Sequence, residues 1–139
     1  MSKITVEIIV KGSMEKVWEY WNDPAHITQW AFASDDWEAP YAENNVVPGG
    51  KFLTRMAAKD KSSSFDFNGT YTNVIPLQKI EYMMEDGRSV SVHFEKISED
   101  SIKITEEFDM ENESSEELQR SGWQAILENF KKHVETFQG

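Results

Sequence analysis

Apolar residues recur at every second position through most of this chain and at every third or fourth through its last stretch, which predicts strands first and one long helix last. Ile4, Val6, Ile8 and Val10 alternate with Thr5, Glu7 and Lys11, a strand with one buried face in which Ile9 is the exception. Gly12 breaks it. Ser13 can cap a short helix in which Val17 and Trp21 share a face, with Trp18 and Tyr20 beside it. Asp23-Pro24 ends that helix and starts another reaching about Trp30, the aspartate as cap and the proline at the first helical position. Such a pair can plug one end of a strongly curved antiparallel sheet, its tryptophans closing the mouth.

Alternation is weak from Asp35 to Val47: Trp37, Ala39 and Tyr41 keep phase, and Pro40 confines that strand to a sheet edge. Pro48-Gly49-Gly50 is a turn, and a strand follows it rather than a helix N-terminus, which argues against a phosphate cradle. Phe52, Thr54 and Met56 then point one way. After the polar tip Lys59 to Ser64, so do Phe65, Phe67, Gly69 and Tyr71, with Gly69 expected at a bulge or bend. Pro76 marks a turn, Ile80, Tyr82 and Met84 form the next inward row, and Asp86-Gly87 is a two-residue hairpin signal. Val90, Val92 and Phe94 answer it, with Ser89, Ser91, His93 and Glu95 facing out. Beyond Glu99-Asp100, the last inward row is Ile102, Ile104, Glu106, Phe108 and Met110.

Ser114 to Phe137 reads as a single amphipathic helix. Trp123, Ile126, Leu127, Phe130, Val134 and Phe137 share one arc of the helical wheel, and Arg120, Gln124, Glu128, Lys131, Lys132 and Glu135 share the opposite one. Ser114 with Glu117 fits a capping box, Glu116 and Glu117 suit the positive end of the dipole, and Lys131, Lys132 and His133 suit the negative end, with Gly139 closing the chain. Glu116 with Arg120 and Glu128 with Lys132 have the i,i+4 spacing of ion pairs. At about 1.5 Å per residue the helix spans roughly 36 Å, enough to cross a small domain, and its apolar arc needs a sheet to lie on.

At 139 residues the chain is the size of one domain with one core, and it shows no repeat, linker or low-complexity segment. A formal net charge of −11, with no basic stripe, disfavours nucleic acid and anionic membrane surfaces as partners. Without cysteine, disulfides, thiolate metal sites and cysteine nucleophiles are excluded. No apolar run approaches the roughly 20 residues of a membrane span, and the N-terminal segment lacks the layout of a signal peptide, so a cytoplasmic protein is expected. His26, His93 and His133 fall on different elements, and no Gly-x-Ser-x-Gly elbow is present. Neither a metal nor another cofactor is expected.

The elements run strand, two short helices, about six antiparallel strands and one long helix, an α+β order. Pro48-Gly49-Gly50 followed by Phe52, Gly69-Thr70-Tyr71 ahead of Ile75-Pro76, the Asp86-Gly87 hairpin, Gly122-Trp123 in the last helix, and Asp23-Pro24 followed by Trp30 together resemble the Hsp90-ATPase-activator homologue family, from about Ile4 to Phe137. The resemblance implies the helix-grip fold of the START/Bet v 1-like superfamily, a curved antiparallel sheet wrapped around a long C-terminal helix. It also implies a deep cavity between the two, used across that superfamily for lipids, sterols, polyketides and other apolar molecules. A chaperone or other protein is the second kind of partner implied. Gly122 is expected where helix and sheet approach closely.

The inward rows and the helix arc give the expected cavity lining: Phe52, Met56, Phe67, Tyr71, Tyr82, Met84, Phe94, Glu106, Phe108, Trp123, Ile126, Leu127 and Phe130. Any one of the aromatic or methionine residues is more often plain packing, but together on a concave sheet they suit a small apolar ligand. Tyr71, Tyr82 and Thr54 are the expected polar handles. Glu106 is an acid in an apolar row. Buried alone, it would hold its proton and orient a polar ligand group or move a proton; the commoner outcome is a strand end in water or a pair with Lys or Arg. Arg55 and Asp66 fall on the outward phase. The sequence thus points to binding of a small hydrophobic or aromatic molecule rather than catalysis. A protein-interaction module and a cavity enzyme of the cyclase or aromatase type are the alternatives.

Overall fold

The computed structural model describes residues 3–137, so the closing role expected of Gly139 lies outside the described residues. In chain order the elements are β1 (Lys3–Lys11), α1 (Met14–Asn22), α2 (Pro24–Trp30), β2 (Trp37–Asn44), β3 (Lys51–Ala58), β4 (Ser64–Ile75), β5 (Lys79–Met84), β6 (Ser89–Ser98), β7 (Ser101–Asp109) and α3 (Glu116–Thr136). The seven strands form one antiparallel sheet in the order β1-β7-β6-β5-β4-β3-β2, so the first strand pairs with the last and the rest pair as successive neighbours. The sheet curls into a half-barrel around α3, the helix-grip arrangement.

Local chemistry accounts for most of these boundaries. Along β1 every even residue from Ile4 to Val10 is buried and every odd one exposed, including Ile9. The Ser13 hydroxyl accepts from the Lys16 N–H (3.2 Å) at the start of α1, and the Asp23 carboxylate accepts from the Ala25 N–H (2.9 Å) at the start of α2, with Pro24 at the first helical position. Pro40 lies in the edge strand β2, where pairing with β3 slips register between Glu38 and Tyr41.

Gly69 differs from expectation. It stands in register opposite Phe52 and Met84, and the irregularity of β4 comes later, between Tyr71 and Asn73. Glycine is required at 69 by a close approach: a Cβ there would lie 2.5 Å from the Met83 carbonyl oxygen and 3.0 Å from the Phe52 ring.

The start of α3 is also one residue later than the capping box suggested. Ser115 is the cap, its hydroxyl accepting from the Leu118 N–H (3.1 Å), so Ser114 and Glu117 do not form the expected box. The Ser114 carbonyl instead accepts from the Gln119 side-chain amide (2.8 Å), which also accepts from the Glu111 N–H (2.9 Å). This buried glutamine therefore ties the β7–α3 connection to the first turn of the helix. The Glu116–Arg120 pair forms (2.8 Å). The expected Glu128–Lys132 pair gives way to Lys131–Glu135 (2.7 Å) and to a Gln124–Glu128 hydrogen bond (3.2 Å).

Those side chains are drawn that way because the polar arc of α3 does not simply face water. It lies along β1, an edge strand. Arg120 donates to the Thr5 carbonyl (2.9 Å), Gln124 to that of Glu7 (3.1 Å) and Lys131 to that of Ile9 (3.1 Å), while Glu135 accepts from the Lys11 N–H (2.9 Å). The helix thus satisfies the unpaired backbone groups of the sheet edge, which blocks further strand addition there.

Candidate functional site

Between the curled sheet and the N-terminal half of α3 lies a cavity of about 580 Å³, within the range of small-molecule sites. From the sheet, β3 supplies Phe52, Thr54 and Met56, β4 supplies Phe67 and Tyr71, β5 supplies Ile80, Tyr82 and Met84, and β7 supplies Glu106. The short helices add Trp21, Ile27 and Trp30, and α3 contributes Gly122, Trp123 and Ile126. The more exposed part of the wall is polar, with Glu43, Asp66, Glu85, Asp86, Arg88 and Glu111 among its residues. Strand alternation explains the apolar rows: each contributes the inward phase of a strand whose other phase meets solvent.

The rings pack in an ordered way around this space. Phe52 meets Tyr82 edge-on (4.7 Å between centroids), Phe67 approaches Trp123 (6.0 Å), and Trp123 stacks on Phe108 (3.8 Å, 11° between planes). A Cβ on Gly122 would meet nothing within 4 Å. The expected close approach of helix and sheet at Gly122 is therefore absent; this glycine faces open cavity.

Glu106 is the chemical exception in the wall. Its neighbours across the sheet are Val6 and Val92, it is only 5% exposed, and among the described residues its carboxyl has no hydrogen-bond or ion-pair partner. The expectation of a solvated or ion-paired acid is therefore overturned: the alternation of β7 points it inward with no base in reach. Burial pushes its pKa up to about 8, so near neutral pH it holds a proton. Burial also raises Tyr82 well above the usual tyrosine range, and the nearby Glu106 reinforces that shift. Tyr71 is raised by burial too, but its hydroxyl is engaged by the Asn44 side chain, whose amide donates in turn to the Asn22 carbonyl (2.8 Å). Of the two tyrosine handles, Tyr82 has no hydrogen-bond partner among the described residues, whereas Tyr71 braces the wall.

Phe52, Met56, Phe67, Tyr71, Tyr82, Met84, Glu106, Trp123 and Ile126 line the cavity, as the inward phase required. Phe94, Phe108, Leu127 and Phe130 do not. Phe108 lies behind Trp123, Phe94 is covered edge-on by Trp18 and Trp21, and Phe130 is gripped by Trp21 and Trp30, so these side chains are core rather than wall. Phe65 continues the inward phase of β4 yet is half exposed beside Trp37. Trp21, Ile27 and Trp30 are not among the residues expected to line the cavity, although the tryptophans of the helix pair are expected to close its mouth; Ile27 has only the short helix pattern of α2 as a signal. Nothing in the pattern pointed to the acidic outer wall.

Two histidines expected to be unrelated meet across the fold. His26 Nδ1 and His133 Nε2 lie 2.9 Å apart, with Tyr20 stacked on His26 at 3.9 Å. Burial, then the neighbouring His26 and Lys16, lowers the His133 pKa. One donor atom each from Glu19, Asp23 and His26 lies within 4.8 Å of the others, close enough to face one cation, but Glu19 is exposed and Asp23 already caps α2. Among the described residues no helix is long and apolar enough to cross a membrane.

The sequence from residue 11 to residue 135 matches the family model described as Activator of Hsp90 ATPase homolog 1-like protein. Among solved structures, the AHSA1-like protein from Aeromonas hydrophila is 41% identical, with 96% of this chain and 92% of that one covered and a TM-score of 0.89. Chr148 from Cytophaga hutchinsonii is 50% identical over the same shares, with a TM-score of 0.83. The Aha1 dimer from Colwellia psychrerythraea, covered in full on both sides at 16% identity and a TM-score of 0.74, is similar in fold alone. No curated protein matches the chain.

Proposed function

This chain belongs to the Activator of Hsp90 ATPase homolog 1-like family, within the SRPBCC/Bet v 1-like superfamily, and on that footing we propose that it binds a small hydrophobic or aromatic molecule between its sheet and α3. The single observation that carries the reading is the cavity itself. A core built only for stability closes such a space, because unfilled volume of this size forfeits dispersion contacts along its whole lining. Here about 580 Å³ stands open beside aromatic faces, with a glycine on α3 turned toward it. Glycine in a helix interior costs about 1 kcal/mol relative to alanine. Accepting that penalty while leaving the space empty makes sense for a site that receives something.

The test is an amide-shift NMR titration against fatty acids, sterols, flavonoids, aromatic polyketides and hydrophobic amines. Saturable shifts in β3, β4, β5 and in Gly122 to Ile126 are the expected result. If no compound moves those amides, the container reading fails. The second reading, a cavity enzyme, is favoured by one feature, a buried carboxyl that holds its proton near neutral pH and is able to act as a general acid. It predicts turnover that Glu106→Gln abolishes while binding persists. A chaperone or other protein partner would instead depend on exposed charge, and Glu128→Lys on α3 would then disturb function where Phe67→Ala disturbs only ligand binding and stability.

A further inference from the structure

We propose that the ligand of this cavity is a hydrophobic cation, an amine or ammonium compound whose charged head meets Glu106 and whose apolar body lies against Phe67, Tyr82 and Trp123. The inference rests on the container reading above and names the chemical class of its ligand.

Three independent observations converge on it. Glu106 is more than nine-tenths buried, is directed into the cavity and has no partner among the described residues. A carboxyl in that position weakens the fold unless something pairs with it, and methionine of similar volume would fill the row of β7 without that penalty. A ligand cation supplies the missing partner. The same cavity is lined by the aromatic rings of Phe52, Phe67, Tyr82 and Trp123, whose faces attract cations, so a desolvated ammonium group finds such a wall more favourable than an aliphatic one.

The third observation is the sign of the remaining charge. Among the described residues Arg88 is the one basic side chain on the wall, and its guanidinium is held by Asp86 (2.8 Å). Glu43, Glu85 and Glu111 line the same space without an ion pair among the described residues. Among the described residues no unpaired cation on the wall is left to receive a carboxylate or phosphate head, so fatty acids and organic phosphates meet repulsion at the acidic mouth and find no counter-ion in the interior. The net charge of −11 extends that field and steers cations inward.

The proton balance follows. In the empty cavity burial keeps the proton on Glu106, with its pKa at about 8. An ammonium ligand stabilises the carboxylate and displaces that proton to solvent, its own charge unchanged. Tyr82 of β5 is the titratable group close enough to feel the charge of Glu106, and Tyr71 of β4 and Arg88 of the β5–β6 hairpin act in turn on Tyr82; β1 and β6 pair Val6 and Val92 with Glu106, and α3 contributes Trp123 and Ile126 to the same cavity. Both tyrosines are held above their ordinary range, so of these three it is Glu106 whose proton becomes easier to displace as pH rises toward 8.

The experiment uses three probes on one frame: naphthalen-1-ylmethyl-trimethylammonium, naphthalen-1-ylmethanol and 1-naphthoate. Each is titrated calorimetrically and by amide shifts into the full chain at pH 6, 7 and 8, and into Glu106→Gln. The ammonium probe is expected to bind about tenfold or more tighter than the alcohol at pH 8, with naphthoate weakest, through desolvated ion pairing and ring contact. Its affinity is expected to fall by nearly tenfold per pH unit toward pH 6, as each displaced proton becomes harder to remove. In Glu106→Gln both the preference and the slope disappear while the alcohol still binds. Alcohol or naphthoate binding as tightly as the ammonium probe overturns the proposal and leaves the container reading standing. A cation preference that survives in Glu106→Gln, or a flat pH profile in the wild type, overturns it as well. If none of the three moves the cavity amides, the proposal and the container reading fall together. The wild-type pH profile decides the question even if the variant does not fold.

Discussion

From Leu127 to Val134, α3 is packed: Leu127, Phe130 and Val134 are fully buried, and Trp21 and Trp30 of the short helices close on Phe130 at 4.9 and 4.8 Å. From Gly122 to Ile126, the same apolar arc looks across open space, and Trp123 touches the sheet mainly through Phe108. One helix with one periodicity therefore ends in two different interiors. The difference lies in what comes from the other side. Two short helices bring their tryptophans across to the C-terminal half, while β3, β4 and β5 curve away from the N-terminal half and Phe67 approaches it only edge-on, at Trp123 (6.0 Å between centroids). Apolar periodicity specifies which face turns inward. Whether that face finds a neighbour depends on the curvature of the sheet opposite.

The comparison is most easily broken by truncating both halves. Phe130→Ala should lose about 3–5 kcal/mol, because a fully enclosed ring leaves a cavity that its neighbours fill only in part. Met84→Ala, on the hollow side, should lose only about 1 kcal/mol, since much of that side chain already faces empty space. Chemical denaturation of the two variants reads this directly, and equal losses would mean that the two halves are packed alike.

Next in size is the pH response of the hollow half. Glu106 has a folded pKa of about 8 against an ordinary 4.5, so the folded protein keeps a proton that the unfolded chain releases. Stability from this group is fully present below pH 4.5 and is lost as pH rises toward 8. Between pH 5 and pH 7 the wild type should lose about 2.5 kcal/mol relative to Glu106→Gln. Urea titrations of both proteins at the two pH values measure the difference; parallel pH dependences would show that Glu106 is solvated.

The two glycines sharpen the contrast further. Gly69→Ala should cost about 1–3 kcal/mol, because the added methyl meets a backbone carbonyl and the Phe52 ring. Gly122→Ala should instead gain up to about 1 kcal/mol of helix propensity, since its methyl enters open cavity. Their melting temperatures should move in opposite directions. The smallest effect belongs to the β1 edge, where Gln124→Ala removes one hydrogen bond to the Glu7 carbonyl and should cost about 0.5 kcal/mol, with faster amide exchange along β1 as the more sensitive readout.

The sequence by itself determined the element order, the inward row of each strand and the two short-helix caps, because these depend on neighbours two to four residues apart. Ile4 to Val10 and Ile102 to Phe108 are legible on those terms, as are Ser13 and Asp23-Pro24. It also placed the family resemblance and most of the cavity wall, since a concave sheet must turn its inward rows toward the helix. Only the tertiary structure decided which inward residues meet a partner: Phe108 and Phe130 found one and became core, while Gly122 and Glu106 found none and became wall. The same long-range geometry brought His26 beside His133 and laid the polar arc of α3 along β1. Such contacts join residues more than a hundred positions apart, so they depend on sheet curvature and helix placement, quantities that a local alternation of apolar and polar side chains does not encode.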